Sequence, residues 1–394
     1  MNMHRRPSAL RSFAMLFALA AGLAIVLGAM LSDAQAQTTP QYTFTKVADS
    51  AEDGFVSFGC AAINSQGDIA FGAERPAPNF NTDPGIYRVN AANGALTTIA
   101  EDPKRFVTIG LNPSINDSGQ VSFAAILDGG KKPDTEAILR GDGRKKLTTI
   151  ASTADEFASF GFDTSVNNAG EVAFRAELGE EFGFDEGLFS GSGGAVTTHY
   201  LSSTDVSLDG QPARFDGRDS RPSINNLGDI AFDESIAFDS GIFVTDGGGF
   251  ETISAPEPGT FVSAPMLNDA GTAAFQKNFE SILTGNGGPL TTVADTSGEF
   301  ASFGFRPPSI NIGGDVAFLA DLDSGGSGIF VVPDAVADRV IATGDTLDGR
   351  TVQNLTFCAE GLNDSGQLAF VAQLEDPTTP DGFRGAVFRA TPNP

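Results

Sequence analysis

The chain contains no Trp, three Tyr, two His and two Cys among its 394 residues. Since His is the commonest general base and metal ligand, its scarcity argues against Ser-His-Asp hydrolysis. His199 lies in a predicted strand without a nearby Ser or Cys nucleophile motif. Cations are also scarce: 24 Lys and Arg accompany 50 Asp and Glu, for a net charge of −26. Binding to phosphates requires clustered cations, so nucleic-acid partners and anionic membrane surfaces are not expected.

A long apolar run occurs only near the start of the chain. Three arginines precede an apolar run at residues 13–31, and the small-x-small triplet at residues 34–36 is typical of a signal-peptidase site. These features predict a signal peptide at residues 1–36 and one mature domain at residues 37–394. The mature protein is then expected in the periplasm or outside the cell, without a membrane span. The alternative is an uncleaved membrane anchor, because the apolar run approaches the length that spans a bilayer.

One pattern, aliphatic-Asn-x-x-Gly-x-x-(Ala/Ser)-Phe, recurs seven times at intervals of 43 to 58 residues. Its landmarks are Asn64, Asn116, Asn167, Asn225, Asn268, Asn311 and Asn363; Gly67, Gly119, Gly170, Gly228, Gly271, Gly314 and Gly366; and Phe71, Phe123, Phe174, Phe232, Phe275, Phe318 and Phe370. Asn side chains bond local backbone in turns, and Gly supplies the left-handed residue. We therefore interpret the Asn and Gly positions as structural turns rather than ligand sites.

Each repeat is predicted to form four short strands, because β-branched and aromatic residues are bounded by Gly, Asn and Asp. In the sixth copy three strands are expected, near residues 301–311, 315–322 and 328–331, and the fifth copy shows a fourth at residues 290–294. One sheet of this size cannot bury both faces, so the copies must pack on each other. A unit of about 50 residues is typical of a propeller blade. The sequence predicts an all-β, seven-bladed β-propeller with four-stranded blades.

The two ends of the array predict how the ring closes. The seventh copy stops after its third strand at residues 386–389, and the missing strand pattern occurs at residues 42–49. The N-terminal strand is therefore expected to complete the last blade and remove exposed sheet edges. Cys60 and Cys358 precede the Asn of the first and seventh copies, which are neighbours only in a closed ring. Export predicts a disulfide between them, and the alternative is two separate buried thiols.

The repeated motif resembles that of the NxxGxxAF tandem-repeat family of exported bacterial proteins, which is similar to the HAF-type extracellular repeats. The resemblance covers residues 42–390 and depends on the repetition of the motif rather than on any single copy. It implies export and a repeat fold, and it implies no established activity.

Carboxylates are expected to collect on one rim of the propeller. If the first strand of each blade (A) is innermost, the A–B and C–D turns lie on one rim and the longer, more varied B–C and D–A loops lie on the other. Variable loops on a rigid scaffold are the usual place for function. Their acidic residues are Asp83, Asp128, Asp134, Glu180, Glu181, Asp185, Glu186, Asp321, Asp323, Glu375, Asp376 and Asp381. Asp321 and Asp323 are weak calcium candidates, and the alternative is a solvated acidic surface.

These observations predict an exported, monomeric and non-enzymatic propeller that presents an acidic loop face to an unknown extracellular protein or glycan. No resident cofactor is expected, and calcium is the one candidate ion. The alternative is a polysaccharide hydrolase or lyase that uses carboxylates near the central channel. A channel-facing carboxylate pair beside Tyr or Arg would favour the enzyme. A channel lined by small and aliphatic residues would favour the binding protein.

Overall fold

The computed structural model describes residues 41–78, 81–144, 146–179, 185–217, 221–332 and 339–393, and the signal peptide predicted at residues 1–36 lies outside them. From Tyr42 onward the regular structure is almost entirely β-strand, arranged as seven antiparallel sheets around a central channel. The fold is a seven-bladed β-propeller, as predicted. The described residues contain one helix, α1 (Ser50–Asp53), and no helix among them is long and apolar enough to cross a membrane.

The strands are listed here by blade in chain order, beginning with β1 (Tyr42–Asp49), which belongs to the last blade. Blade 1 contains β2 (Ser57–Ile63), β3 (Ile69–Pro76), β4 (Thr82–Val89) and β5 (Leu96–Ala100). Blade 2 contains β6 (Phe106–Ile109), β7 (Ser114–Ile115), β8 (Val121–Leu127), β9 (Thr135–Gly141) and β10 (Thr148–Ser152). Blade 3 contains β11 (Phe157–Val166), β12 (Val172–Leu178), β13 (Glu186–Gly191) and β14 (Thr197–Leu201).

Blade 4 contains β15 (Val206–Leu208), β16 (Gln211–Ala213), β17 (Ser223–Ile224), β18 (Ile230–Ile236), β19 (Asp239–Thr245) and β20 (Phe250–Ser254). Blade 5 contains β21 (Met266–Leu267), β22 (Ala273–Lys277), β23 (Ser281–Gly285) and β24 (Thr291–Asp295). Blade 6 contains β25 (Phe300–Ser302), β26 (Ser309–Ile310), β27 (Val316–Leu322), β28 (Ser327–Val332) and β29 (Arg339–Ala342). Blade 7 contains β30 (Thr346–Leu347), β31 (Arg350–Thr356), β32 (Leu368–Glu375) and β33 (Phe383–Pro392), and β1 is its outermost strand.

Blades 2, 4, 6 and 7 depart from the predicted four-strand pattern. In blade 2 the innermost strand is split into β6 and β7, and in blade 7 β30 adds a fifth strand. In blade 6 the innermost strand, predicted as one segment at residues 301–311, is split into β25 and β26. Pro307 and Pro308 lie in the gap, and Pro cannot donate to a ladder. In blade 4 the segment after β14, one of the longer D–A connections, contains the β15–β16 hairpin, which extends the outer edge of the sheet through a parallel pairing of β15 with β20.

Ring closure by the N-terminal strand is confirmed. β1 pairs antiparallel with β33, with Thr45 opposite Arg389 and Asp49 opposite Ala386. The Asp49 side chain then caps α1 by accepting from the Ala51 amide at 2.9 Å, and Arg384 of β33 donates to the same carboxylate. Burial alone would raise the pKa of Asp49, but the hydrogen bond and charge of Arg384 together with the bonds from the Ala51 amide and Lys46 outweigh it, and the pKa lies below its ordinary value.

The predicted disulfide is also confirmed. Cys60 of β2 and Cys358, just beyond β31, are bonded with their Cα atoms 5.8 Å apart. The bond joins blade 1 to blade 7 across a sequence separation of 298 residues. The last blade is thus held to the first by a covalent link as well as by the β1–β33 ladder.

The seven repeated asparagines form a ring around the channel, and each is between 3% and 6% exposed. The Oδ1 atom of every one accepts from the backbone amide four residues later, at 2.9–3.0 Å. The glycine that follows three residues after each asparagine has a φ between 70° and 93°. Each A–B turn is therefore closed by the same side-chain and backbone geometry.

The Nδ2 atom of the asparagine amide links neighbouring blades. The sequence did not indicate this role. In six repeats Nδ2 donates to the backbone carbonyl oxygen of the asparagine in the next blade, at 2.9–3.3 Å. The bond from Asn363 to the Asn64 carbonyl crosses from blade 7 to blade 1. Asn311 donates to Asp315. We refer to these turns together as the asparagine ring.

Apolar packing between blades completes the fold. The seven repeated phenylalanines are 0% exposed. Each apolar cluster includes residues of adjacent blades: Phe123 of blade 2, for example, shares a cluster with Ala62, Ala70 and Ile86 of blade 1. Burying such side chains supplies roughly 1.5–3 kcal/mol each, so most of the stabilisation depends on neighbouring blades being in place.

The asparagine ring predicts a cost for removing one donor. Asn116→Asp keeps the Oδ1 acceptor but places a carboxylate, instead of Nδ2, against the carbonyl of Asn167. We expect the free energy of unfolding to fall by about 3 kcal/mol, since a buried acceptor loses its partner. Urea unfolding measures this. Ser118→Ala, an exposed position in the same turn, should change it by less than about 0.5 kcal/mol, and equal stabilities for the two variants would contradict the linking role.

Removal of the Cys60–Cys358 disulfide is also expected to lower the free energy of unfolding. The Cys60→Ser/Cys358→Ser variant should be several kcal/mol less stable, since the chain-entropy model gives about 5 kcal/mol for a loop of this size. Urea unfolding with and without reductant measures the difference, and the variant, as control, should not respond to reductant. Thiol titration of the unfolded, unreduced protein should find no free thiol, and two free thiols per chain would refute the bond.

Candidate functional site

The narrow half of the channel is lined by the asparagine ring and by aliphatic residues. A cavity of about 160 Å³ lies there. The aliphatic residue that precedes each asparagine forms part of the cavity wall. These residues are Ile63, Ile115, Val166, Ile224, Leu267, Ile310 and Leu362. The same cavity is also lined by Asp117, Asp269, Asp364 and Glu360.

An ion pair crosses the channel. Arg221, which precedes the innermost strand of blade 4, donates to Oε1 of Glu360 in blade 7. Ser165 of blade 3 donates to the same oxygen at 3.4 Å, and the Ile115 amide of blade 2 donates to Oε2 at 3.3 Å. Four blades therefore meet at the Glu360 carboxylate. The pair forms the floor of the wider half of the channel, since Arg221 also lines the cavity on that side.

The wide mouth is a cavity of about 660 Å³ at the starts of the innermost strands. All seven blades contribute to it, and its wall includes Asn112, Asp163, Arg306 and the Cys60–Cys358 disulfide. Asn112 donates to the Asp163 carboxylate at 3.0 Å. This mouth opens on the rim of the B–C and D–A loops, where the sequence predicted the functional face.

Three phenylalanines form an aromatic patch on this mouth, which we define as Phe261, Phe279 and Phe305. The rings of Phe261 and Phe279 stack at 4.8 Å, and Phe305 packs edge-on at 4.4 Å from Phe279 and 5.5 Å from Phe261. Phe305 remains 77% exposed. Exposed apolar clusters with a polar surround mark interaction sites more often than isolated apolar residues do.

Two hairpin tips hold aromatic residues in a strained conformation. The B–C turn of blade 4 is Ala237-Phe238, with φ of 53° and 71°, and that of blade 5 is Asn278-Phe279, with φ of 56° and 61°. Positive φ at both central residues matches the twist of the strands, and Gly or Asn normally fills such turns. A bulky side chain there is an outlier, and such strain concentrates at functional sites. Phe238 is 92% exposed, so packing does not explain its presence.

Negative charge surrounds the aromatic patch. Glu280 follows Phe279 directly and is exposed, and Glu299 and Asp323 are exposed on the next loops in a series of hydrogen-bonded loops. Backbone hydrogen bonds join the loops that carry these three residues. The Thr296 amide donates to the Glu280 carbonyl and the Asp323 amide to the Glu299 carbonyl, both at 3.0 Å. Nearby cations are already neutralised: Lys277 pairs with Glu257 at 2.9 Å, and Arg306 with Asp321 at 3.1 Å.

The calcium candidates do not converge. Asp321 is bonded to Arg306 and to the Ser302 hydroxyl, while Asp323 is exposed. Within the described residues no group of three or more His, Cys, Asp or Glu could hold a metal ion. Glu180 and Glu181 of the predicted acidic face lie outside the described part of the chain. Calcium binding therefore stays a prediction, with no assembled ligand set to support it.

His199 lies closer to a hydroxyl than the sequence indicated. Its Nε2 is 2.9 Å from Oγ of Ser190 in the adjacent strand, and that hydroxyl donates to Glu171 at 2.6 Å. The carboxylate contacts Ser190 rather than the imidazole, and Ser190 is 0% exposed, so this is not the arrangement of a hydrolytic triad. Burial lowers the pKa of His199.

A closed ring of antiparallel blades with a loop-lined mouth places this chain among the β-propeller proteins. Within that class it belongs to the Family of unknown function (DUF7453), whose model matches residues 100–388. No curated protein sequence matches it.

Two solved structures illustrate the fold. One is the β-propeller domain of the Trilobed protease from Pyrococcus furiosus, described as having an open velcro topology, with 11% identity, a TM-score of 0.53 and coverage of 85% of this chain and 93% of that chain. The other is oligogalacturonate lyase from Vibrio parahaemolyticus, with 12% identity, a TM-score of 0.51 and coverage of 89% and 97%. At these identities the likeness concerns the fold alone.

The strained hairpin tips predict a stabilising substitution. Phe238→Gly should raise the free energy of unfolding by about 0.5–1 kcal/mol, since the left-handed conformation disfavours L-residues by more than Gly loses in backbone entropy. Phe305→Gly is the matched control, at an exposed phenylalanine outside the residues with positive φ. It should lower that free energy. Urea unfolding of both variants checks the signs, and destabilisation by Phe238→Gly would contradict the assignment of strain.

Proposed function

We propose that this protein is an exported, non-catalytic β-propeller that binds a cationic polypeptide through the aromatic patch at the wide mouth. The observation that carries the proposal is the exposure of Phe305, packed against the half-buried Phe279 in its strained turn on the same rim. Aromatic anchors with a charged surround are the usual energetic centre of an interface. Keeping Phe279 in the left-handed region costs stability, and a binding role accounts for that cost.

Charge supports a cationic partner. Glu280 adjoins the patch, Glu299 and Asp323 are exposed on loops joined to it by backbone hydrogen bonds, and the chain as a whole carries a net charge of −26. Complementary charge accelerates encounter and selects partners, and its effect falls with ionic strength. A lysine- or arginine-rich segment with one apolar side chain would meet both features of this surface.

The packing of the rings supports a polypeptide rather than a glycan. Sugars bind on open, flat aromatic faces, whereas Phe261 and Phe279 cover each other at 4.8 Å. The ring that remains open, Phe305, protrudes edge-on from the other two. An exposed ring in this position can insert between the side chains of a folded or extended partner.

Binding also has more support than the alternative of a polysaccharide hydrolase or lyase. That chemistry needs two carboxylates free to act at a fixed separation. Glu360 already accepts from Arg221, Ser165 and the Ile115 amide, and Asp163 accepts from Asn112. These two carboxylates are therefore engaged in holding the blades and the mouth, and Asp233, which also lines the mouth, is 4% exposed.

Export is part of the proposal. The Cys60–Cys358 disulfide is compatible with an oxidising compartment, and the resemblance to the NxxGxxAF tandem-repeat family points in the same direction. A monomer is expected, because β1 of the same chain fills the outer position of blade 7 and no strand from a second copy is needed there.

Fluorescence polarisation with labelled peptides tests the proposed function. The probes are three pentapeptides, Lys-Lys-Phe-Lys-Lys, Lys-Lys-Gly-Lys-Lys and Glu-Glu-Phe-Glu-Glu. The first should bind at least tenfold more tightly than the other two, and more weakly at high salt. Phe279→Gly and Phe305→Ala should each weaken it at least tenfold, while Leu227→Ala, at a 72% exposed position in an A–B turn, should not. Equal affinity for the three peptides, or unchanged binding by both phenylalanine variants, would overturn the proposal.

A further inference from the structure

A groove lies at the joint between blades 4 and 5. Its volume is about 830 Å³, and it lies on the rim of the A–B and C–D turns, away from the aromatic patch. Val244 of β19 and Gly271 of the blade 5 A–B turn line it, and the β15–β16 hairpin contributes Asp209 and Gly210.

At three other joints the chain fills the same place with its own arginine. Arg88, Arg140 and Arg389 occupy the position of Val244, directly opposite the residue that precedes the repeated phenylalanine. Arg88 donates from Nη1 to the Gly119 carbonyl, and Arg389 donates to the Gly67 carbonyl at 3.1 Å. The Arg140 guanidinium lies beside Gly170.

Four joints lack this arginine, because Ser190, Val244, Thr284 and Val331 stand at its position. The joint between blades 4 and 5 is one of the four. Val244 is too short to reach the next turn, and a methyl group added at Gly271 would meet no atom within 4 Å. The equivalent glycine at the filled joint, Gly119, would have Arg88 Nη1 within 2.1 Å of such a group. The turn that receives an arginine at three joints is therefore open here, as are the turns at Gly228 and Gly314.

The walls of the groove favour a cation. Four carboxylates line it, and none of its described lining residues is Lys, Arg or His. Asp209 accepts from Thr252, Asp229 from Asn225 at 3.0 Å, and Asp246 from the Gly248 amide at 2.8 Å, while Glu251 is exposed. A planar guanidinium, with five donors in a fixed fork, can reach a carbonyl and a carboxylate together.

We propose that this groove binds the arginine side chain of a partner polypeptide, in the place that the chain's own arginines take at three other joints. The proposal does not rest on the proposed function, because the groove and the aromatic patch lie on opposite rims. Lysine should bind more weakly, since a compact ammonium cannot copy the forked contact.

Saturation-transfer NMR with the blocked tripeptides Gly-Arg-Gly and Gly-Lys-Gly tests the proposal. The wild-type protein should bind the arginine peptide with a millimolar Kd, at least threefold more tightly than the lysine peptide. Val244→Arg supplies the missing arginine in cis and should weaken binding at least tenfold. Thr284→Arg makes the same change at the equivalent position of blade 5 and should leave binding unchanged.

A second variant keeps the test open if Val244→Arg does not fold. Glu251→Gln, at an exposed position, should weaken the arginine peptide two- to fivefold. Phe305→Ala should not affect it, which separates this site from the aromatic patch. The proposal is wrong if the wild-type protein does not bind the arginine peptide, or if Val244→Arg, folded by circular dichroism, binds it as the wild type does. An equal loss in Thr284→Arg would also overturn it.

Discussion

The fold depends on an asparagine amide that bonds in two directions. Its oxygen closes the A–B turn within a blade, and in six repeats its nitrogen bonds the corresponding turn of the next blade. A propeller blade cannot bury both faces alone, so each blade is stable only beside its neighbours. The asparagine ring makes that dependence specific, because a blade displaced from its place loses both its packing and a buried hydrogen bond. The β1–β33 ladder and the Cys60–Cys358 disulfide then close the ring.

Because of this constraint, the two rims of the molecule differ in how much their sequences can vary. The A–B turns must keep Asn and Gly, so they are nearly identical in all seven repeats. The opposite rim carries no such requirement, and there the chain places residues that a stable turn would not select, such as Phe238 and Phe279 at positive φ. The asparagine ring on one rim holds the blades in place, so the fold remains stable with strained turns on the other rim. The cross-channel pair of Arg221 and Glu360 adds a link between distant blades beneath the wide mouth.

The repeat made the blade count, the ring closure and the disulfide predictable, because Asn, Gly and Phe recur in every copy. Features that occur once were not predictable in the same way. Nothing in the pattern around Asn116 shows what lies across the joint, so its Nδ2 bond was missed. Arg221 and Glu360 are far apart in sequence and have no counterpart in the other copies. A turn at residues 237–238 would be predicted with Gly or Asn, so an exposed Phe238 gives no sequence signal of its role.

Native-state hydrogen exchange tests most directly whether the asparagine ring makes the seven blades one cooperative unit. The amides that bond each asparagine Oδ1, such as those of Asp68 and Gln367, should exchange only through global unfolding in all seven blades. Amides at the B–C tips of blades 4 and 5 should exchange much faster. Exchange of the turn amides blade by blade, at different free energies and well below that of global unfolding, would contradict the account.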